Sequence, residues 1–174
     1  MPDSLLAVSI QRLGDLDLLV RSMKDDFAAC IPAEPSNDNT HIDDFDHLCR
    51  LSELWVGGTY EIFRLLIVRN LRTDETTKEV HARLKLLRIP WEKYEIANER
   101  KLAGPLEMAQ ISTENSVHHW YEQSDKKSSH IMPSGITAQG SVAWLAVDAL
   151  NREQLWIERL ALSNEVNRAY DLAF

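Results

Sequence analysis

Residues 42–71 read IDDFDHLCRLSELWVGGTYEIFRLLIVRNL, and this stretch decides the fold class. Its second half is apolar on nearly every side, which is typical of a helix buried at the centre of a bundle. The aspartates near its start favour a helix N-terminus, because carboxylates complement the positive end of the helix dipole. Gly57 and Gly58 lie mid-helix, where each costs about 1 kcal/mol of helix stability. They predict close approach of a neighbouring helix or a local kink.

The segment before this helix also predicts a helix. Apolar residues recur at steps of three and four from Leu6 to Cys30, which is one continuous stripe over many turns. Pro32 ends the stripe, because its ring and missing N–H cannot continue a helix. Cys30 and Cys49 are too few for a disulfide scaffold, so we expect two reduced thiols that pack as small hydrophobes.

A third helix follows the central one. Thr76 and Glu79 have the spacing of a capping box, which predicts the helix start. An apolar stripe then runs inward from Val80 to Tyr94, with a kink expected at Pro90. The Ala-Gly-Pro sequence at 103–105 predicts the end of this helical region.

The C-terminal third is less regular. Residues 141–148 alternate as a strand does, and a second strand at 155–159 would complete a hairpin before a final helix. The alternative is a single helix over 151–172, since apolar residues there also keep helical spacing. We favour the hairpin, which makes the fold mainly α: a bundle of three long helices with a C-terminal β-hairpin and helix, an α-dominated α+β class.

The chain length fits one domain, 1–174. Within it we expect a three-helix core over 1–104 and the hairpin with its helix over 141–174. Between them, 105–140 lacks sustained periodicity and is interpreted as a long polar loop, with a short helix possible in its first half. A connection of this length without structure is uncommon and is often functional.

The net charge of −8 is unevenly distributed. Residues 62–101 carry ten basic and six acidic side chains, whereas the segments on either side are acidic. An acidic chain disfavours non-specific nucleic-acid binding, but a local basic face can still contact phosphate. There is no signal peptide pattern, and no run approaches the roughly 18 apolar residues of a membrane span. We therefore expect a cytoplasmic protein without membrane contact.

A polar group on the two inner helices is the first candidate site. Glu61 and Arg64 lie three residues apart on the central helix, a spacing that allows an ion pair. Lys93 and Tyr94 lie near the proline of the third helix. If these helices are antiparallel neighbours, the two sets meet, and buried charges brought together often mark a catalytic site. The more common interpretation is a structural ion-pair network.

A basic surface is the second candidate site. His81, Lys85 and Arg88 share one side of the third helix, since they lie at i, i+4 and i+7. Arg69 and Arg72 lie just upstream. Such a surface can grip a phosphate backbone. Because the helix continues into three glutamates, which would repel phosphate, a solvent-facing helix of mixed charge is the more common interpretation.

A metal site has weak support. Asp43 and His47 lie at i and i+4, a spacing that permits shared metal coordination. No zinc-ligand spacing, P-loop, dinucleotide-binding glycine motif or nucleophile elbow accompanies them, and charge at a helix start explains the carboxylates. We predict no metal and no cofactor.

These observations favour an interaction or regulatory protein without catalytic activity, which binds another protein or itself through an acidic surface. Homo-oligomerisation fits this expectation. The first alternative is a helical nucleic-acid-binding module of the nuclease or toxin–antitoxin type that uses the basic surface. The second alternative is a small-molecule or metal-dependent enzyme centred on the polar group of the inner helices.

Overall fold

The computed structural model describes residues 4–30, 42–108, 119–122 and 130–171. Its helices are α1 (Ser4–Cys30), α2 (Ile42–Val68), α3 (Glu75–Lys93) and α4 (Arg159–Asp171), and a short 3₁₀ helix spans Glu99–Lys101. Its strands are β1 (Leu106–Met108), β2 (His119–Tyr121), β3 (Ser134–Ile136), β4 (Val142–Asp148) and β5 (Glu153–Glu158). The fold class is confirmed: the chain is mostly helical, with a C-terminal hairpin and a final helix. None of the described helices is both long and apolar enough to cross a membrane.

Helices α1 and α2 run antiparallel and approach closely at Gly58. A Cβ added there would lie 2.6 Å from Cδ2 of Leu13, so only glycine leaves room for the α1 side chain. Further along, the rings of Phe27 and Phe45 lie 6.0 Å apart. Of the two explanations for the mid-helix glycines, close approach of a neighbouring helix applies at Gly58. At Gly57 an added Cβ would meet no atom within 4 Å.

Helix α3 begins and ends earlier than the sequence pattern predicts. Its N-cap is Asp74, whose carboxylate accepts hydrogen bonds from the backbone N–H and the hydroxyl of Thr77. The prediction of a capping box starting at Thr76 is therefore wrong, because the carboxylate two residues upstream satisfies the free N–H. The helix ends at Lys93, and Tyr94 adopts a left-handed conformation with φ 55° and is exposed. Tyr94 is thus not part of the inward stripe.

The strands β3, β4 and β5 form an antiparallel sheet in that order. Trp144 of β4 is opposite Ser134 on one side and Ile157 on the other, so the central strand is paired along both edges. The hairpin interpretation is confirmed, and the single helix over 151–172 is wrong. The β4–β5 turn places Arg152 at φ 56°, and α4 begins directly after β5.

The main core lies between α2, α3, α4 and one face of this sheet, and α1 covers it from outside. Its largest fully buried side chains include Trp55, Phe63 and Trp144. A smaller apolar cluster joins Ile96, Leu102, Leu106, Tyr121 and Val147 below the antiparallel pair β1–β2. The sheet and α4 therefore supply part of the same core as the first three helices.

One further expectation differs from the structure. The range 105–140, interpreted as a long polar loop, contains strands β1, β2 and β3 among its described residues. Trp156 is 53% exposed on the outer face of the sheet. Cys49 is a free, half-buried thiol, as expected, whereas the side chain of Cys30 lies outside the described part of the chain.

Candidate functional site

A buried carboxylate joins α1 to α4. Asp17 is 4% exposed, and its Oδ1 lies 2.6 Å from Nη2 of Arg159, which is 2% exposed. Ser163 donates a hydrogen bond of 2.6 Å to the same oxygen, and Arg21 donates one of 2.8 Å to Oδ2. The Arg159 contact is an ion pair by distance. Both carboxylate oxygens therefore have cationic or hydroxyl partners.

The Arg159 side chain has a second partner in α2. Its guanidinium carbon lies 4.4 Å from the ring centre of Trp55, a cation–π arrangement that favours a desolvated arginine. Arg21 extends the network on the solvent side by donating to Ser163 at 2.5 Å and to Asn164 at 2.7 Å. Three helices, α1, α2 and α4, are thus held together at one polar point inside an apolar interior.

The charge states of this network argue against acid–base chemistry. Burial alone would raise the pKa of Asp17, but the Ser163 hydrogen bond and the positive charges of Arg159 and Arg21 outweigh it and lower that pKa. Burial lowers the pKa of Arg159 to about 10, partly offset by Asp17. Both groups stay ionised near neutral pH. A carboxylate so well stabilised is a poor base for activating the Ser163 hydroxyl.

The polar group on the inner helices assembles only in part. Glu61 lies 2.7 Å from Arg64 on its own helix and 3.3 Å from Arg88 on α3, so α2 and α3 are joined by an ion pair. Arg88 also pairs with Glu92 at 2.7 Å. Lys93, in contrast, is exposed at the end of α3, and the Tyr94 side chain next to it is 58% exposed.

A stack of three side chains lies beside this ion pair. The rings of Tyr60 and His81 are stacked with centres 4.9 Å apart, and the Arg88 guanidinium lies 4.6 Å from the Tyr60 ring centre. Burial, with the positive charges of Lys85 and Arg64, lowers the pKa of His81 below 6.5. A neutral imidazole can accept a proton, but the His81 Nε2 atom is itself buried. A substrate would reach it only after the side chains around it had moved.

The cations proposed for phosphate binding are largely used inside the protein. Arg72 donates to the backbone oxygen of Ala169 at 2.6 Å and pairs with Asp74 at 3.0 Å. Lys85 donates to Asn98 at 2.7 Å. Together with the ion pairs of Arg88, these contacts neutralise or occupy much of the basic surface. Arg69 is exposed just beyond α2.

The weak metal candidates Asp43 and His47 are both exposed on the first turns of α2. Among the described residues there is no group of three or more histidine, cysteine or acidic side chains placed to hold a metal ion. Residue 41, a histidine, lies outside the described part of the chain.

Sequence reasoning missed two features. Asp17 lies among the inward residues of α1, four residues after Leu13 and three before Val20. A charge in such a position is a sequence signal for a buried partner. The exposed apolar residues on the outward face of α1 were also missed.

That outward face carries a regular stripe. Leu5, Val8, Arg12, Asp15 and Leu19 follow one another at steps of three, four, three and four, and all five are exposed. Leu5 is 76%, Val8 45% and Leu19 50% exposed. We call these five residues the α1 seam. Their spacing is that of the contact positions in a pair of packed helices.

A scan against protein-family models and searches of curated proteins and of solved structures found no match to this chain. The function therefore has to be inferred from the chain's own geometry.

Proposed function

We propose that this chain is a non-catalytic interaction protein that binds a second copy of itself through the α1 seam. The observation that carries the proposal is the seam itself, an exposed stripe at helix-pairing spacing with apolar residues at both ends. Single exposed leucines are ordinary on protein surfaces. Three large aliphatic side chains on one stripe of an outer helix favour a partner that removes them from water.

The charge pattern of the seam supports a second copy of this chain as the partner. If two seams pack antiparallel, with the symmetry axis between Arg12 and Asp15, Arg12 of each copy faces Asp15 of the other. The same register places Val8 opposite Leu19 twice. A parallel arrangement would instead bring like charges together. The seam is therefore self-complementary in one direction only, as a twofold interface requires.

The dimensions of α1 suit this arrangement. With 27 residues, the helix is about 40 Å long, so the seam extends along much of one side of the molecule. Since α2 packs behind α1, the two copies would form a four-helix arrangement with the α1 helices in the middle. Apolar contacts would supply the affinity, and the two Arg–Asp pairs would fix direction and register.

The other functions expected from the sequence receive less support. The catalytic candidates Glu61 and Arg64 neutralise each other, and Lys93 and Tyr94 are exposed to solvent. Nucleic-acid binding is disfavoured because the basic surface is occupied by internal partners, as described above. A cytoplasmic location remains part of the interaction proposal.

Light scattering during size-exclusion chromatography tests the proposal. We expect the wild type to elute as a dimer free of nucleic acid, judged by its absorbance at 260 and 280 nm. Val8→Glu with Leu19→Glu should yield monomers, because carboxylates replace the apolar layers. The matched control is Leu150→Glu, at a residue that is 54% exposed in the β4–β5 turn, and it should remain a dimer.

A charge exchange makes the test specific. Arg12→Glu alone should weaken dimerisation, since it faces Asp15 of the second copy. Adding Asp15→Arg should restore the dimer, because the two pairs are re-formed with reversed polarity. A wild-type protein that is monomeric at about 100 μM, or a double variant no better than the single one, would overturn the proposal. Co-eluting nucleic acid would instead favour the basic surface.

A further inference from the structure

A groove of about 400 Å³ lies between α1 and α4, with α2 as its floor. It opens on the flank of α1 next to the seam, with which it shares Asp15, and it meets the buried ion network at Asp17 and Trp55. Its lining is formed by Ile10, Gln11, Leu13, Gly14, Asp15, Asp17, Leu18, Trp55, Thr59, Val166, Asn167 and Tyr170. The volume is within the range of small-molecule sites in proteins.

The charge of the groove has one sign. Two carboxylates, Asp15 and Asp17, contribute to the lining, whereas lysine, arginine and histidine do not. Arg159 and Arg21 compensate Asp17 from behind. Asp15 is exposed on the rim and has no ion pair within the described residues of one chain, and in the proposed dimer an amine would share this carboxylate with Arg12 of the second copy. A cationic group is therefore favoured in the groove over an anionic one.

Two hydroxyl groups of the lining lack partners. Thr59 is 1% exposed, and its Oγ1 makes no hydrogen bond within the described part of the chain. The same holds for the buried hydroxyl of Tyr170. Burial raises the pKa of Tyr170, so this phenol keeps its proton. Buried polar atoms are nearly always hydrogen-bonded, and an unpaired one carries a desolvation cost.

Gly14 keeps the groove open. It lies in the middle of α1, where glycine is unfavourable by up to about 1 kcal/mol relative to alanine. A Cβ added at Gly14 would meet no atom within 4 Å. Packing inside this chain therefore does not require glycine here, whereas a side chain at this position would project into the space between α1 and α4.

We propose that the groove binds a small organic amine with an apolar body, such as an arylalkylamine. The apolar body packs against Leu13, Leu18 and Val166 above the edge of Trp55. The ammonium group lies near Asp15, because Asp17 is already compensated by Arg159 and Arg21. The hydroxyls of Thr59 and Tyr170 gain the hydrogen-bond partners that they lack in the free chain.

Ligand-observed NMR tests this proposal with a matched pair of probes. Tryptamine and phenethylamine represent the amines, and indole-3-propionate and 3-phenylpropionate are the corresponding acids of similar shape. We expect saturation transfer from the full chain to the amines at millimolar concentration and at least several-fold less to the acids. The comparison separates the charge preference from simple binding of an aromatic ring.

Three variants locate the binding site. Gly14→Leu should abolish amine binding by filling the groove, and it should leave the fold intact because leucine favours helix and has free space there. Ala7→Leu, two turns earlier on α1 and outside the groove lining, is the matched control and should bind as the wild type does. Thr59→Val should weaken binding by up to about tenfold, the effect of one hydrogen bond.

Each contrary result overturns the proposal. Amines that show no transfer would mean that a water molecule, rather than a ligand, satisfies the two hydroxyls. Equal transfer to acids and amines would remove the charge argument. Undiminished binding to Gly14→Leu would place the site elsewhere. Dimerisation is read separately by light scattering, so a failure here leaves the seam proposal standing.

Discussion

Replacing Asp17 by alanine should destabilise the fold far more than any surface change on the same helix. The substitution removes the carboxylate that faces Arg159, whose side chain is 3% exposed. That guanidinium would remain inside the protein with its charge uncompensated, and its cation–π contact with Trp55 would be the main attraction left. Ser163, fully buried, would lose its acceptor as well.

The size of the effect follows from the burial of the pair. Breaking a buried ion pair by removing one partner costs about 3–5 kcal/mol, because the other charge stays desolvated. For a chain of this length each kcal/mol corresponds to a shift of roughly 2–4 °C in Tm, so a decrease of about 6–20 °C is expected. The second cationic partner of Asp17, Arg21, adds little to this loss of stability. Its side chain is 27% exposed and can turn to solvent when the carboxylate is removed.

Chemical denaturation and calorimetry measure this effect. The matched control is Asp25→Ala, which removes an ion pair with Lys24 from a carboxylate that is 71% exposed on the same helix. Asp25→Ala should lower the free energy of unfolding by less than about 1 kcal/mol. The double variant Asp17→Leu with Arg159→Met should recover much of the loss, because an apolar pair replaces both charges. If Asp17→Ala costs no more than Asp25→Ala, the account of the network as a stabilising contact of α1 and α4 fails.

Three other measurements test the description of α2 and α3. Asp74→Ala should lower the free energy of unfolding by about 1 kcal/mol, because it removes the N-cap whose hydrogen bond from Thr77 holds the pKa of Asp74 to about 2; an unchanged denaturation midpoint would exclude this cap. Burial and the charge of Lys85 lower the pKa of His81, so the folded chain binds a proton there less readily than the unfolded chain. Stability from this residue should be complete above pH 6.5 and decrease as pH falls through the lower folded pKa, and His81→Asn should flatten that part of the profile. Burial, with the nearby Glu53, raises the pKa of Cys49 to about 12, so native Cys49 should react with iodoacetamide much more slowly than after unfolding in urea, as peptide mass spectrometry can show.

The helices could be predicted from the sequence because the residues that specify each helix lie within it or next to it. The apolar stripes of α1 and α2 and the proline after α1 specify these elements within a few residues of where they act. The start of α3 was misplaced because two capping signals compete there. Asp74 lies at the right distance from the N–H of Thr77, whereas the Thr76–Glu79 pair falls within the first turn of the helix.

The sheet and the buried network depend on partners distant in sequence. Residues 151–172 have both strand and helix spacing, and the choice is made by β4, which pairs with β5 along six residue pairs and with β3 along its other edge. No local pattern reveals that second pairing. Trp156 remains exposed because its side of β5 faces away from the helices, a consequence of the register with Leu145.

Dependence on residues distant in sequence also limited the prediction of the candidate sites. The Glu61–Arg64 pair could be predicted from spacing on one helix, and its contact with Arg88 required only that α2 and α3 be neighbours. In contrast, the partners of Asp17 are Ser163 and Arg159, which belong to the last helix. The unfavourable placement of a charge was visible in the sequence, but the residues that compensate it were not.

The contact between Asp17 and Ser163 also constrains the order of folding, since the two residues are 146 positions apart in the chain. During synthesis α1 leaves the ribosome long before α4, and its aspartate has to stay hydrated until the last helix arrives. Docking of α1 against the interior therefore cannot be completed by early local collapse. Closing so large a loop is slow, so we expect α1 to be among the last helices to acquire native protection from hydrogen exchange. A chain that ends before Arg159 would lack the α4 partners of Asp17, and α1 would be held by its contacts with α2 and with the turn at Gly140.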